Sequence, residues 1–165
     1  MLKIQPVRGR FMSQERTVSN EKEMQLIGEV TWLLLQSPLH REYPLHVLES
    51  RFLNAIRLGQ CRIYYDSKGP IGLVTWAQVT EAWHQKLMEQ DEWLPEEEWN
   101  RGNYLWFMDF IAPFGNCTSI RRSLSAQFRH KTKAWCRRIG DEKRADRVFL
   151  HRKGHLTDEQ EGYLN

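Results

Sequence analysis

The chain has 165 residues, 41% hydrophobic and 12% aromatic with seven Trp, enough for one globular domain around a single substantial core. Its three cysteines (Cys61, Cys117, Cys136) are odd in number and lack metal-ligand spacing. They argue for reduced thiols and against a disulfide framework or zinc module. The net charge of +3 hides a strongly basic C-terminal third, with twelve Lys and Arg against three acids from Ser119 to Lys153, so an acidic partner is expected there.

Taken in order, residues 1–19 read as a loose polar extension, 20–154 as one domain, and 155–165 as a polar tail. Asn20 with Glu23 resembles a capping box. Leu26, Ile27, Val30, Leu33 and Leu34 then recur at helical spacing, which predicts a helix to about Gln36, stopping before Pro38. The loop Ser37-Pro-Leu-His-Arg-Glu-Tyr-Pro44 follows, and Pro44 suits the first turn of a second helix carrying Leu48, Phe52 and Ile56 and ending at Gly59.

Cys61–Tyr65 and Ile71–Val79 read as strands joined by the turn Asp-Ser-Lys-Gly-Pro. Thr80 to about Trp93 is helical in pattern, and seven acids lie between Glu81 and Glu98. Tyr104–Phe110 is a short run of apolar and aromatic residues broken only by Asp109, which predicts a strand buried on both faces. After Ala-Pro-Phe-Gly115, Thr118 or Ser119 is expected to cap a helix with Ile120, Leu124 and Phe128 on one face. Ala134–Ile139 and Arg147–Leu150 are weaker strand candidates. The order αα–ββ–α–β–α–ββ predicts a mixed α/β (α+β) fold with a mostly antiparallel sheet. No apolar run reaches transmembrane length and Met1 lacks a signal pattern behind it, so a soluble cytoplasmic protein is expected.

Asp109 is the residue most in need of an explanation, because a carboxylate in a buried strand is costly unless paired or hydrogen-bonded. It suits orienting an imidazole; satisfaction by backbone or an Arg is the plainer alternative. His40, in a loop held between Pro38 and Pro44, is placed for general base work near neutral pH, against the reading of a surface or capping His. Ser37 is either its hydrogen-bonding neighbour or a helix terminator. His46 sits in a second Pro-Leu-His triplet but inside the predicted helix. Cys117 is a nucleophile candidate or a small buried residue. No phosphate-loop, Rossmann or HExxH pattern is present. The basic region holds Trp135 and Phe149 but matches no nucleic-acid motif.

Ser37-Pro-Leu-His-Arg41 and Trp106-Phe-Met-Asp-Phe-Ile-Ala-Pro-Phe-Gly115, in this order, resemble the toxin-activating lysine acyltransferases that act on RTX haemolysins and related protoxins. The likeness runs from about Ile27 to Gly154 and includes Val30-Thr-Trp-Leu and Thr75-Trp-Ala. It implies a fold related to the GCN5-type N-acetyltransferases. It also implies transfer of a fatty acyl chain from acyl carrier protein, as a 4′-phosphopantetheine thioester, to internal protoxin lysines, with no permanently bound cofactor and no metal. By motif position His40 and Asp109 match the family's essential histidine and aspartate, with Ser37 secondary. Backbone N–H groups after Gly115, with Ser119, Arg121 and Arg122, suit the donor's phosphate or the oxyanion. Trp76 and Trp106 are candidates for an acyl channel or plain core. The basic region suits docking of an acidic carrier protein; nucleic acid is not expected, and a homodimer is left open.

Asn116 stands where the family pattern has an acid, and the Gln/Arg-x-x-Gly-x-Gly/Ala coenzyme A pattern is missing, which favours a carrier-protein donor. The rival readings are a non-catalytic basic module for nucleic acid or an acidic protein, and a small-molecule N-acyltransferase using acyl-coenzyme A.

Overall fold

A computed structural model of the protein describes residues 18–90, 92–131, 133–137 and 145–149. The expected tail at 155–165, nearly all of the expected N-terminal extension and residues 138–144 between the two last strand candidates lie outside these residues. Helix α1 spans Val18–Gln36, followed by a helical run of α2 (Leu45–Val47), a π-helical stretch (Leu48–Leu53) and α3 (Asn54–Arg57). The hairpin β1 (Cys61–Asp66) and β2 (Gly69–Val79) leads to α4 (Glu81–Glu89). A 3₁₀ turn precedes β3 (Tyr104–Ile111), α5 (Cys117–Gln127), β4 (Lys133–Arg137) and β5 (Ala145–Phe149).

The five strands form one sheet in the order β1-β2-β3-β4-β5, antiparallel except for the parallel β3–β4 pair. This is the expected mixed α+β architecture, consistent with a GCN5-related acetyltransferase-like fold, and Tyr104–Ile111 is its central strand.

Helices cover both faces. On one, Ile120, Leu124 and Phe128 of the α5 segment pack on Val74, Trp76, Leu105 and Phe107. On the other, Val30, Leu33 and Leu34 of α1 and Phe52 meet Leu73 and Ile111, while Ala55 and Leu87 meet Ala77 and Trp106. Each fully buried large side chain contributes about 1.5–3 kcal/mol of burial free energy, so these two apolar layers hold the sheet in place.

Several boundaries differ from the sequence reading. Helix α1 starts at Val18, so Asn20 lies inside it and does not cap it. Helix α4 is capped by Thr80, whose side chain accepts from Trp83 N–H at 3.3 Å, but it ends at Glu89, short of Trp93. The acidic stretch beyond has too few apolar anchors to carry the helix further. Thr118 and Ser119 are within the first turn of α5, and the N-cap is Asn116.

One irregularity decides where the chemistry sits. Thr75 pairs with Asp109 and Trp76 with Phe107, so Met108 is an extra residue in β3, a β-bulge. Leu105 and Phe107 face α5, while Trp106 faces the opposite layer. Strict alternation would turn Asp109 toward α5 as well. The bulge reverses the phase beyond Met108: Phe110 joins the α5 side and Ile111 the α1 side. Asp109 thereby faces the layer that holds the loop bearing His40 and the helical run bearing Arg51.

Candidate active site

The loop after α1 folds tightly on itself, with the N–H groups of His40 and Arg41 both donating to the Ser37 carbonyl at 3.1 and 3.0 Å. This turn brings the two side chains together, and Ser37 Oγ lies 2.6 Å from His40 Nδ1. Both residues are buried, and Tyr43 meets the imidazole edge-on with ring centroids 5.2 Å apart. With Nδ1 engaged by Ser37, Nε2 is the nitrogen free for a substrate proton when Nδ1 carries the hydrogen.

Burial pulls the His40 pKa below its ordinary 6.5; the Asp109 charge opposes that shift and the Arg51 charge adds to it. Both charges therefore act on this imidazole, which stays neutral and basic under conditions that would partly protonate an exposed histidine.

Asp109 has a fully buried side chain. Its Oδ2 accepts two hydrogen bonds, from Thr75 Oγ1 at 2.7 Å and from Arg51 Nε at 2.8 Å. The same guanidinium donates through Nη2 to the carbonyl of Met108, the bulge residue. Arg51 is thus clamped to both the side chain and the backbone of one short segment. It sits in the π-helical stretch, an irregularity that tends to mark functional positions. Its other face lies over the Trp93 ring, 5.0 Å from the centroid.

Asp109 makes no hydrogen bond to His40: the hydrogen bond that orients the imidazole comes from Ser37, and the carboxylate acts on it through charge alone. Ser37, His40 and Asp109 are thus gathered in one buried place. Gly115, Ser119, Arg121 and Arg122 form a second place, where the chain leaves β3 and enters α5. Gly115 adopts φ +79, a left-handed turn conformation that favours glycine. Ser119 Oγ donates to the Asn116 carbonyl at 2.9 Å, and Ser119 and Arg122 are exposed.

The remaining candidates are placed as follows. Cys117 is the half-buried first residue of α5, and His46 is exposed in α2. Trp76 packs edge-on against Phe128, with centroids 5.3 Å apart. Trp106 donates its Nε1–H to His84 Nδ1 at 3.2 Å and borders a small cavity with Arg51, Trp93, Trp99 and Met108. Among the described residues no group of His, Cys, Asp and Glu is arranged to hold a metal ion, and no helix is long and apolar enough to cross a membrane.

Sequence reasoning missed Arg51 and Thr75. Arg51 had a signal, being three residues after Leu48 and four before Ala55, on the flank of the buried helix face. Thr75 stood only within the Thr75-Trp-Ala stretch of the resemblance, with nothing to mark it as a site residue, since a Thr in an apolar strand reads as core.

Comparison with known proteins adds the following. The sequence profile of the RTX toxin acyltransferase family matches residues 19–151. The leukotoxin-activating lysine-acyltransferase of a Pasteurella haemolytica-like species is 32% identical over 64% of this chain and 64% of its own length. The RTX-II toxin-activating lysine-acyltransferase of Actinobacillus pleuropneumoniae is 24% identical over 83% of this chain and 86% of that protein. The protein-lysine myristoyltransferase of Escherichia coli is 31% identical over 65% of this chain and 62% of that protein. The chain therefore spans a little under two thirds of the first and third of these relatives, and most of the second.

Proposed function

The chain belongs to the RTX toxin acyltransferase family, and we propose that it is a protein-lysine acyltransferase, moving a fatty acyl chain from acyl carrier protein to internal lysines of an RTX-type protoxin in the cytoplasm. The observation that carries this reading is the buried Ser37–His40 pair under the joint charges of Asp109 and Arg51.

The chemistry follows from these groups. A lysine amine is mostly protonated near neutral pH and must lose a proton before it attacks a thioester. The nitrogen lone pair forms the new N–C bond at the thioester carbonyl, and the C–S bond breaks with its electron pair going to sulfur. A proton from the attacking nitrogen passes to His40 Nε2, and the sulfur leaves as a thiol after protonation. Ser37 orients the imidazole, and the Asp109 charge stabilises the imidazolium that forms. The backbone N–H groups entering α5, with Ser119, Arg121 and Arg122, bind the phosphate of the donor's phosphopantetheine arm, for which Gly115 sets the turn.

The test mixes purified protein with long-chain acyl carrier protein and a candidate RTX protoxin, and maps acylated lysines by mass spectrometry. Lysine-specific transfer that His40→Ala abolishes supports the reading. No transfer to any lysine, in an assay where the A. pleuropneumoniae relative transfers, contradicts it.

A further inference from the structure

Asp109 Oδ1 is buried and has no hydrogen-bond partner, although Oδ2 of the same carboxylate has two. A buried carboxylate oxygen without a partner is costly, and Arg51 and Thr75 hold the group through Oδ2. Such an arrangement fits an acceptor atom reserved for a ligand. We propose that Asp109 Oδ1 is the seat of the acceptor's primary amine, taking an N–H of the target lysine, with Arg51 and Thr75 as positioning residues that aim the carboxylate. The proposal rests on the acyl-transfer reading above.

Two observations fit an amine at this atom. First, Asp109 and His40 act on each other electrostatically but do not touch, so an amine held on Oδ1 is delivered to the base without displacing an existing bond. Second, an isolated buried carboxylate would grip the ammonium form and oppose deprotonation. The Arg51 guanidinium on Oδ2 offsets that charge, so the amine is held by its hydrogen bond while remaining free to lose a proton.

The experiment titrates protein labelled with ¹³C at aspartate carboxyls with n-butylammonium, and separately with butyltrimethylammonium, which has no N–H, at equal ionic strength. Asp109→Asn identifies the Asp109 resonance. The expected result is a saturable shift of that resonance with butylammonium and little with the trimethyl analogue. A resonance that ignores both, showing that Oδ1 holds only water, or that moves equally with both, overturns the proposal. Acyl transfer from carrier protein to protoxin lysines is measured on the same samples. Transfer without the shift leaves the acyl-transfer reading standing and removes the subsite; the shift without transfer leaves an amine on Oδ1 and removes its role as the acceptor's seat. In the transfer assay Arg51→Gln is expected to lower kcat about tenfold with a much smaller change in the KM for the protoxin, and Arg51→Lys to recover part of it. An Arg51→Gln enzyme with wild-type kcat removes the positioning role.

Discussion

Ser37 Oγ stands 2.6 Å from His40 Nδ1, and this contact, rather than one from Asp109, fixes the imidazole. Ser37→Ala leaves the base in place but lets the ring reorient. One hydrogen bond is worth about 1 kcal/mol, so kcat/KM is expected to fall about five- to tenfold, with the reaction otherwise unchanged. A complete loss comparable to His40→Ala would instead assign Ser37 a covalent role, visible as acyl-Ser37 in the intact mass.

Activity should persist on the acid side of neutrality. His40 works only as the neutral base and its pKa lies below 6.5, so the acidic limb of the kcat/KM profile should fall below pH 6.5. The two flanking charges give variants of opposite sign. Asp109→Asn removes the charge that raises the His40 pKa and should move the limb to lower pH on whatever activity remains. Arg51→Gln removes a charge that lowers it and should move the limb upward. Shifts in the same direction would show that a different group titrates.

The same histidine has a stability consequence. Because its folded pKa is depressed, the unfolded chain binds its proton first as the solution is acidified. Stability is therefore full above about pH 6.5 and falls as pH drops below it, flattening once the folded imidazole also protonates. His40→Gln should reduce the slope of Tm against pH in that window; an unchanged slope would show that other groups carry it.

Removing one member of the Arg51–Asp109 pair leaves a buried charge alone. Asp109→Leu should therefore cost about 3 kcal/mol or more in unfolding free energy, and Arg51→Met/Asp109→Leu together should recover much of that while staying inactive. Chemical denaturation of the two variants beside wild type checks it. A double variant no more stable than Asp109→Leu would mean that the pair stabilises the fold beyond mutual neutralisation.

Two glycines separate backbone from side-chain crowding. A Cβ at Gly102 would sit 2.0 Å from the Val79 carbonyl oxygen, in backbone that cannot yield cheaply. A Cβ at Gly72 would sit 2.3 Å from the tip of the Ile120 side chain. Gly102→Ala should destabilise by about 3 kcal/mol and Gly72→Ala by less, since Ile120 can change rotamer. Equal losses in thermal unfolding would show that the Ile120 packing is as rigid as the Val79 backbone.

Much of the fold was legible because apolar spacing reports burial directly. The α1 stripe Val30, Leu33, Leu34, the α5 stripe Ile120, Leu124, Phe128 and the apolar run of β3 each lie where their periodicity puts them. Asp109 was legible for the opposite reason, as a charge in a strand with no place for one. Its surroundings were not. The bulge at Met108 leaves no mark on composition, yet it determines which face Asp109 occupies. The Arg51 clamp joins residues 58 apart in sequence, and the π-helical stretch that carries Arg51 looks like an ordinary helix in spacing. Long-range pairing of that kind is a property of the folded chain, and local pattern holds no trace of it.

The central claim is direct transfer to lysine with His40 as the base, and one single-turnover measurement addresses it. Enzyme in excess is mixed with carrier protein bearing a labelled acyl chain and an RTX protoxin, then quenched in acid at successive times. Label should pass from carrier to protoxin lysines with none on the enzyme at any time, and His40→Ala should leave it on the carrier. Label accumulating on Ser37 or Cys117 before it reaches lysine, or transfer that survives in His40→Ala at wild-type rate, would contradict the account.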